Sequence, residues 1–549
     1  IRHALAAGDF ERVAGLVELV WPAMDKSFQS ATWLGWVQAL PDELVRARPV
    51  LSVDYAWALL DCGELEAGET RLRDAERWLD TTPDVSERSD APPAETGPEQ
   101  SRRMVVVDEE QFRKLPASMA SARAYLAQAF GDVPASVKHA RRALDLLPEG
   151  HHFERGRLAV LLGLAHWASG DLEPAHRAFS DAMASFQMAG NILFAISFTF
   201  ILADIRITQG RLHQALSTYE QSLQLAREQG EPTFPGMEDC YRGIGELYRE
   251  RGDLEAASQY LLRSEELGDQ SEVYQSRLCV AQARMKETRG DLDGALELLD
   301  EAEQWGDFRN PLPDVRPIGA LKARIWIAQG RLAEALDWVC ERGLSAGDEL
   351  SYLREFEHIT LARVLIARYR RDGLQGAMHE AMGLLERLLK AAEEGGRMGS
   401  AIEILVLQAL AHQAQGDIPP ALDPLERALT LAEPEGYFRI FVDEGPPMAT
   451  LLREAAKHSA APNYVTQLWA ACGKAEGTAP VTQLLIEPLS ERELEVLRLL
   501  RSELSGPEIA RELVVSLNTM RTHTKNIYSK LGVNNRRAAV RRAEELDLV

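Results

Sequence analysis

Cysteine is scarce in this 549-residue chain: Cys62, Cys240, Cys279, Cys340 and Cys472 are the full set, and no two form a CxxC pair. That scarcity excludes a small disulfide-stapled scaffold and argues against a metal or redox site. The five read as buried small apolar residues in a reducing compartment. Long apolar runs are missing too. The longest, Ile192 to Ala203, is interrupted by Ser197 and Thr199. It falls well short of the roughly 20 residues that span a bilayer, so it reads as a buried helix and no membrane partner is expected. The first residues carry no signal peptide, which points to the cytoplasm. A phosphate-cradling GxxxxGK[ST] loop is absent as well: the only Gly-Lys, Gly473-Lys474, has Leu468 where the first Gly belongs and Ala475 after the Lys. Finally, acid is missing from one place. Residues 517–542 carry seven Lys and Arg and no Asp or Glu, in a chain of net charge −23. Nucleic acid repels so acidic a chain except where such a patch sits.

What is present is a rhythm. At roughly 100–200 residues per domain the length allows about three to five domains or one long repeat array. A turn of the form Gly, polar, apolar, then Ala recurs: Gly170-Asp171-Leu172 with Ala175, Gly210-Arg211-Leu212 with Ala215, and Gly252-Asp253-Leu254 with Ala257. It continues at Gly290-Asp291-Leu292 with Ala295 and Gly330-Arg331-Leu332 with Ala335; successive glycines lie 40, 42, 38 and 40 residues apart. Related copies stand at Gly8, Gly63, Gly131 and Gly416. Gly ends one helix in a left-handed conformation, and the small Ala lets the next helix approach. A helix pair cannot bury its apolar face alone, so neighbours stack. The expected fold is all-α: a tetratricopeptide-like α-solenoid, with helical repeats over 1–80 and a superhelical sensor region over 119–435. Proline-rich and polar stretches place a mobile loop over 81–118 and a connector over 436–484.

Residues 485–549 read as a small four-helix domain. Ser490 with Glu493 and Ser505 with Glu508 have the spacing of capping boxes, Ser516 caps a third helix running to about Leu531, and Gly532 stops it. A fourth helix covers about 536–546. A short helix, a tight turn and a longer basic helix make a helix-turn-helix. In the third helix Met520, Ile527 and Leu531 share one side. Arg521, Thr522 and Lys525, with Asn518 and Ser529, share the other, which carries the cationic and small polar groups a major groove asks for.

The matches that stand in register are Leu489-Ser490, Arg492-Glu493, Glu508-Ile509-Ala510, Ser516, Thr519-Met520-Arg521, His523, Lys530-Leu531-Gly532-Val533, Arg536 and Ala539-Val540. On these the segment resembles the LuxR-type DNA-binding domain. It departs from the family at Glu503, where Gly is usual, and at Gly506-Pro507. The resemblance implies that Arg521, Thr522 and Lys525 face bases, with Ser516, Thr519, Lys530, Arg536 and Arg537 nearer phosphates, and that two domains pair through Ala539, Val540 and Ala543. Two further stretches, Leu350–Glu357 leading to Leu361–Leu365 and Ala432–Gly445, resemble the large MalT-like, ATP-binding LuxR regulators. That resemblance implies an upstream ATP-binding module that this sequence, which starts at Ile1, does not include. No cofactor or metal is therefore expected in this chain. It further implies an effector-sensing solenoid, promoter DNA and RNA polymerase as partners, a homodimer on DNA, and transcriptional activation. The effector and its residues are not marked by any spacing. The alternative of another class is a non-enzymatic interaction scaffold, against which the acid-free basic span argues.

Other signals fall away. Gly343-Leu344-Ser345-Ala346-Gly347 spells a nucleophile elbow, but that elbow needs a preceding strand, and here a helix precedes it. Gly243-Ile244-Gly245 lacks a third Gly and a strand. His151-His152 has no partner at ligand spacing, and His523 lies one turn from Met520 and Ile527, where packing or phosphate contact suits it better than catalysis.

Overall fold

In the computed structural model each repeat turn adopts the backbone that its glycine allows. The backbone angle φ is +81° at Gly170, +80° at Gly210, +83° at Gly252, +80° at Gly290 and +75° at Gly330, a region that costs other residues about 1–2 kcal/mol. At two of the three Gly-Asp turns among these, the Asp caps the next helix: Asp253 Oδ1 accepts from the Ala256 amide, and Asp291 Oδ1 from the Gly294 amide, each at 3.0 Å, whereas Asp171 makes no such bond. Ala175, Ala215, Ala257, Ala295 and Ala335 are all fully buried where the paired helices meet.

The structure describes residues 1–27, 29–80, 104–230, 234–268, 272–305, 315–457, 461–472, 491–501, 504, 506–513, 515–531, 533, 536, 539, 540 and 543. Among them there is no strand, and no helix is long and apolar enough to cross a membrane. Helix pairs follow one another: His152–Ser169 with Leu172–Met188, Met237–Glu250 with Leu254–Leu267, Glu272–Thr288 with Leu292–Trp305, and Ile318–Ala328 with Leu332–Glu341. Glu355–Asp372 with Gln375–Glu394 and Met398–Gln415 with Ile418–Ala432 continue the series. The helix expected over 192–203 is buried as expected, but it breaks at Phe198 into Ile192–Ser197 and Thr199–Thr208.

The chain divides into two compact units, Ile1–Trp469 and Ala470–Val549. Several expected boundaries therefore move. The helices before residue 80 belong to the first unit, tied in by Arg157 to Asp25 at 2.8 Å. The polar loop ends earlier than 118, because helix Glu109–Ala129 starts on Asp108, whose carboxylate accepts from the amides of Glu110 and Gln111. Pro116 does not stop this helix: it loses its own N–H bond and crowds the carbonyl one turn back, but buried Leu115 and Met119 hold the helix through it. Of the loop, residues 81–103 lie outside the described residues. The described part of the connector is largely helical, with Arg439–Val442, Pro446–Ala455 and Pro462–Cys472 packed on the solenoid through Phe441, Met448, Leu451, Leu452, Val465 and Leu468. Pro446 and Pro462 start helices, where their missing N–H has no partner to lose. Cys240, Cys279 and Cys472 are buried as expected, but Cys62 and Cys340 are exposed, because both stand at helix ends beside turns.

Within the first unit the superhelix closes on itself. Trp167 Nε1 donates to the Tyr352 hydroxyl at 3.0 Å, and the Tyr437 hydroxyl donates to the Ile207 carbonyl at 3.2 Å. The Phe438 amide donates to the Glu250 carbonyl, and the Ile440 amide to the Glu250 carboxylate, each at 3.0 Å. Gly252 sits under this closure: a Cβ there would lie 2.6 Å from the Phe438 ring. The closed turn borders an open cavity of about 1010 Å³.

In the second unit, helices Glu491–Leu500, Gly506–Glu512 and Leu517–Leu531 surround Val496, Leu497, Leu500, Ile509, Ala510, Met520 and Ile527. Arg536, Ala539, Val540 and Ala543 have helical backbone, in keeping with a fourth helix. Ser490, Ser505 and Gly532 lie outside the described residues.

Candidate nucleic-acid interface and ligand cavity

The helix Leu517–Leu531 is fixed at its start by Ser516, whose Oγ accepts from the Thr519 amide at 3.1 Å. Met520 and Ile527, seven residues apart, turn inward and are buried. One consequence follows from the 3.6-residue turn: Thr519, Thr522, Lys525 and Asn526 stand exposed on the remaining faces. Of the expected base-facing residues, Thr522 and Lys525 are therefore together on the outward surface. Arg521 has helical backbone, and one residue on from Met520 it lies about 100° around the helix from the buried stripe; its side chain lies outside the described residues.

Two of the cations expected nearer phosphates have partners within the unit. Lys530 is held by Glu493 at 3.0 Å, because Glu493 is only 4% exposed and a carboxylate buried without a cation is costly. Arg536 donates to the carbonyls of Leu500 at 2.8 Å and Leu504 at 2.5 Å, closing the C-terminal end of the first helix, whose last carbonyls have no partner within the helix. Both cations thus have internal work. Ser516 and Thr519 remain exposed, their hydroxyls 2.7 Å apart. Arg537 lies outside the described residues. Two of the expected pairing residues turn inward too: Ala539 and Ala543 are fully buried in the domain's own core, since they are the small residues of the fourth helix's inner face, and only Val540 is left half-buried.

Ser345 gains no catalytic partner. The nearby His358 is fully buried with both ring nitrogens engaged, Nδ1 at 2.9 Å from the Arg354 carbonyl and Nε2 at 3.2 Å from Asp348. Asp348 also accepts from the Ser345 amide, and the Ser345 hydroxyl accepts from the Gly347 amide at 3.2 Å. Among the described residues, no His or carboxylate bonds that hydroxyl.

The solenoid cavity was not marked by any local motif. Its lining combines nine arginines and eight carboxylates with aromatic side chains, among them Trp167, Phe200, Tyr352 and Phe356. Glu403 ties three repeats together: Arg324 reaches it at 2.8 Å and Arg363 at 2.9 Å, and Arg363 also reaches Glu444 at 2.6 Å. Burial alone would raise the Glu403 carboxyl, but the two guanidiniums outweigh it and hold the carboxyl down to about 2. Arg324 lies over the Phe356 ring at 3.8 Å. Burial, with Arg363 alongside, lowers Arg324 to about 10 in spite of Glu403.

A family profile described as MalT-like TPR region matches residues 117–458. The chain belongs to this family. A second profile, bacterial regulatory proteins of the luxR family, matches residues 487–543. The HTH-type transcriptional regulator MalT of Yersinia pestis (strain Pestoides F) is 26% identical over 583 residues, an alignment covering 100% of this chain and 59% of that protein. The protein of that name from Serratia proteamaculans (strain 568) is 25% identical over 589 residues, with the same shares covered. The chain thus spans 59% of the length of these relatives. Among solved structures, a Rap protein complexed with the competence and sporulation factor is 12% identical, with a TM-score of 0.44, over 70% of this chain and 98% of that one. A likeness at that level carries no argument.

The two stretches that resemble the MalT-like family in sequence are the ones that close the superhelix. The first supplies Tyr352 and Glu355, and the second supplies Tyr437, Phe438, Asp443 and Glu444; all of these line the cavity or bridge across it. The cavity arginines had a faint signal of their own. Arg284, Arg324, Arg363 and Glu403 recur at intervals of 40, 39 and 40 residues, in phase with the repeat and on helices otherwise rich in apolar residues.

Proposed function

We propose that this chain is a DNA-binding transcription regulator whose solenoid receives an effector, a small molecule or a protein, and whose C-terminal unit reads promoter DNA in the major groove. Arg521, Thr522 and Lys525 read base edges, while Ser516 and Thr519 contact the backbone. The observation that carries this reading is the outward face of helix Leu517–Leu531, where Thr522 and Lys525 are exposed above the buried pair Met520 and Ile527. The acid-free span from 517 to 542 supplies the charge such a face needs. Resemblance supports the remainder: activation rather than repression, contact with RNA polymerase, and a homodimer on DNA that uses Val540. The reading assigns the chain no catalytic step, and it operates in the cytoplasm.

The test is selection of bound fragments from random-sequence DNA at two salt concentrations. The expected result is an enriched two-fold symmetric motif whose binding weakens with salt. Retention without an enriched motif contradicts sequence reading.

A further inference from the structure

The cavity's unsatisfied groups are all of one kind. Among the described residues that line it, four buried side-chain atoms have no hydrogen-bond partner: Arg249 Nε, Arg324 Nη2, Arg439 Nε and Trp305 Nε1. Each is a donor, and none of the lining carboxylates has such an orphan oxygen. Two of these arginines are neighbours: Arg249 donates to the Thr288 hydroxyl at 2.8 Å and Arg439 to the Thr288 carbonyl at 3.5 Å, and both reach Asp443. The Arg249 side chain is 6% exposed. Arg370 adds a cation that opens on the same space, with no ion-pair partner among the described residues and a single long bond of 3.4 Å to the Leu410 carbonyl. Buried donors left unpaired are costly, and charged donors bond most strongly to anionic acceptors. The volume, about 1010 Å³, is that of a site for a small metabolite.

We infer that the cavity takes a small organic oxyanion, a phosphate ester or a polycarboxylate, gripped by Arg249, Arg324 and Arg439 with Arg370 at its approach; the inference rests on the reading of this cavity as the effector site. The anion's oxygens accept from the four orphan donors. A neutral polyol brings as many donors as acceptors and leaves the cationic surplus in place. Burial of Arg324 beside Arg363, which lowers it to about 10, is the state an added anion relieves.

The test uses the full chain and thermal unfolding followed by circular dichroism at fixed ionic strength, with pyrophosphate, citrate and, as the neutral probe, sucrose. The expected result is a saturable rise in Tm with pyrophosphate or citrate and none with sucrose. Arg324→Gln weakens the apparent Kd by about tenfold or more. Because Arg324 also pairs with Glu403, Arg370→Gln provides a variant that breaks no ion pair; it weakens Kd by about threefold. A saturable rise with sucrose alone overturns the anion class and keeps the cavity as a ligand site. A rise that neither substitution weakens overturns the assignment to this cavity. No saturable rise with any probe overturns the anion class. If neither the anion-exchange-retained nor the unretained fraction of a bacterial small-molecule extract then shifts Tm, the effector-site reading fails with it.

Discussion

The two units of this chain place positive charge in opposite ways. In the solenoid, arginines point inward: Arg249, Arg324 and Arg363 line a cavity, lie over rings or pair with carboxylates, and bind successive repeats to one another. In the C-terminal unit the described interior is apolar apart from Glu493 with its partner Lys530, and Lys525 stands out in solvent on the proposed reading helix. Net charge conceals this arrangement. The segment from 489 on sums to +2 and the remainder to −25, yet the more acidic part is the one whose cavity is lined by nine arginines. Sign and count say what a surface repels; burial and partners decide what each cation does.

The largest effect is expected where that contrast is sharpest. Glu403→Gln removes the anion shared by Arg324 and Arg363, and by analogy with broken buried pairs it costs about 3–5 kcal/mol. Lys525→Ala, exposed in the other unit, stays within about 0.5 kcal/mol. Urea unfolding of both variants checks the ordering, and equal costs would erase the distinction between the units.

The turn glycines give a second comparison, inside the solenoid. Gly252→Ala combines a left-handed φ with a clash on Phe438 and costs about 2–4 kcal/mol. Gly290→Ala, with a similar φ and open space around it, costs about 1–2 kcal/mol. Similar losses at the two positions would mean that the closure of the superhelix at Phe438 is not tight.

Two carboxylates predict opposite pH responses. Glu403 is held down to about 2, so its contribution is present above its ordinary value of 4.5 and is lost as pH falls toward 2. Glu18 is raised to about 7 by burial, against the opposing effect of Arg48. Its favourable protonated form is fully present below about 4.5, and that contribution is lost as pH rises through about 7. Melting curves across pH should show Glu403→Gln flattening the acid limb and Glu18→Gln gaining relative to the parent chain between pH 5 and pH 8, each by about 1–3 kcal/mol. A parent chain equally stable at pH 5 and 8, and a Glu18→Gln variant that tracks it, would contradict the second assignment.

These comparisons also show what the residues made legible. Turn glycines and buried Ala are local signals, and at the five spaced turns both appear in the structure as the repeat demands. The inward Met520 and Ile527 follow from helical period alone, and so does the outward Lys525. Roles that depend on a distant partner were not legible. Lys530 and Arg536 look like phosphate contacts by residue type, but one neutralises Glu493, 37 residues away, and the other closes a helix end 36 residues away. Ala539 and Ala543 carry no mark that separates a domain core from a dimer face. The stretches expected as loop and connector contain Pro116, Pro446 and Pro462 inside or at the start of helices, because proline's effect depends on its place in a helix, which composition does not give. The cavity was hidden because its members come from six or more helices and meet only when the superhelix closes.

A smaller effect separates structural from surface cations within the C-terminal unit. Arg536→Ala removes two bonds to carbonyls at a helix end and lowers stability by about 1–2 kcal/mol. Unfolding followed within residues 470–549 of the full chain, for example by hydrogen exchange, checks it.

The most direct measurement is the salt dependence of DNA binding by the full chain, compared with Lys525→Ala and Lys530→Ala. The expected result is that Lys525→Ala reduces the slope of log affinity against log salt by about one, as loss of a phosphate or base-edge cation does, while Lys530→Ala leaves the slope unchanged. A reduced slope for Lys530→Ala with none for Lys525→Ala would contradict the assignment of the outward face of helix Leu517–Leu531 as the surface that meets DNA.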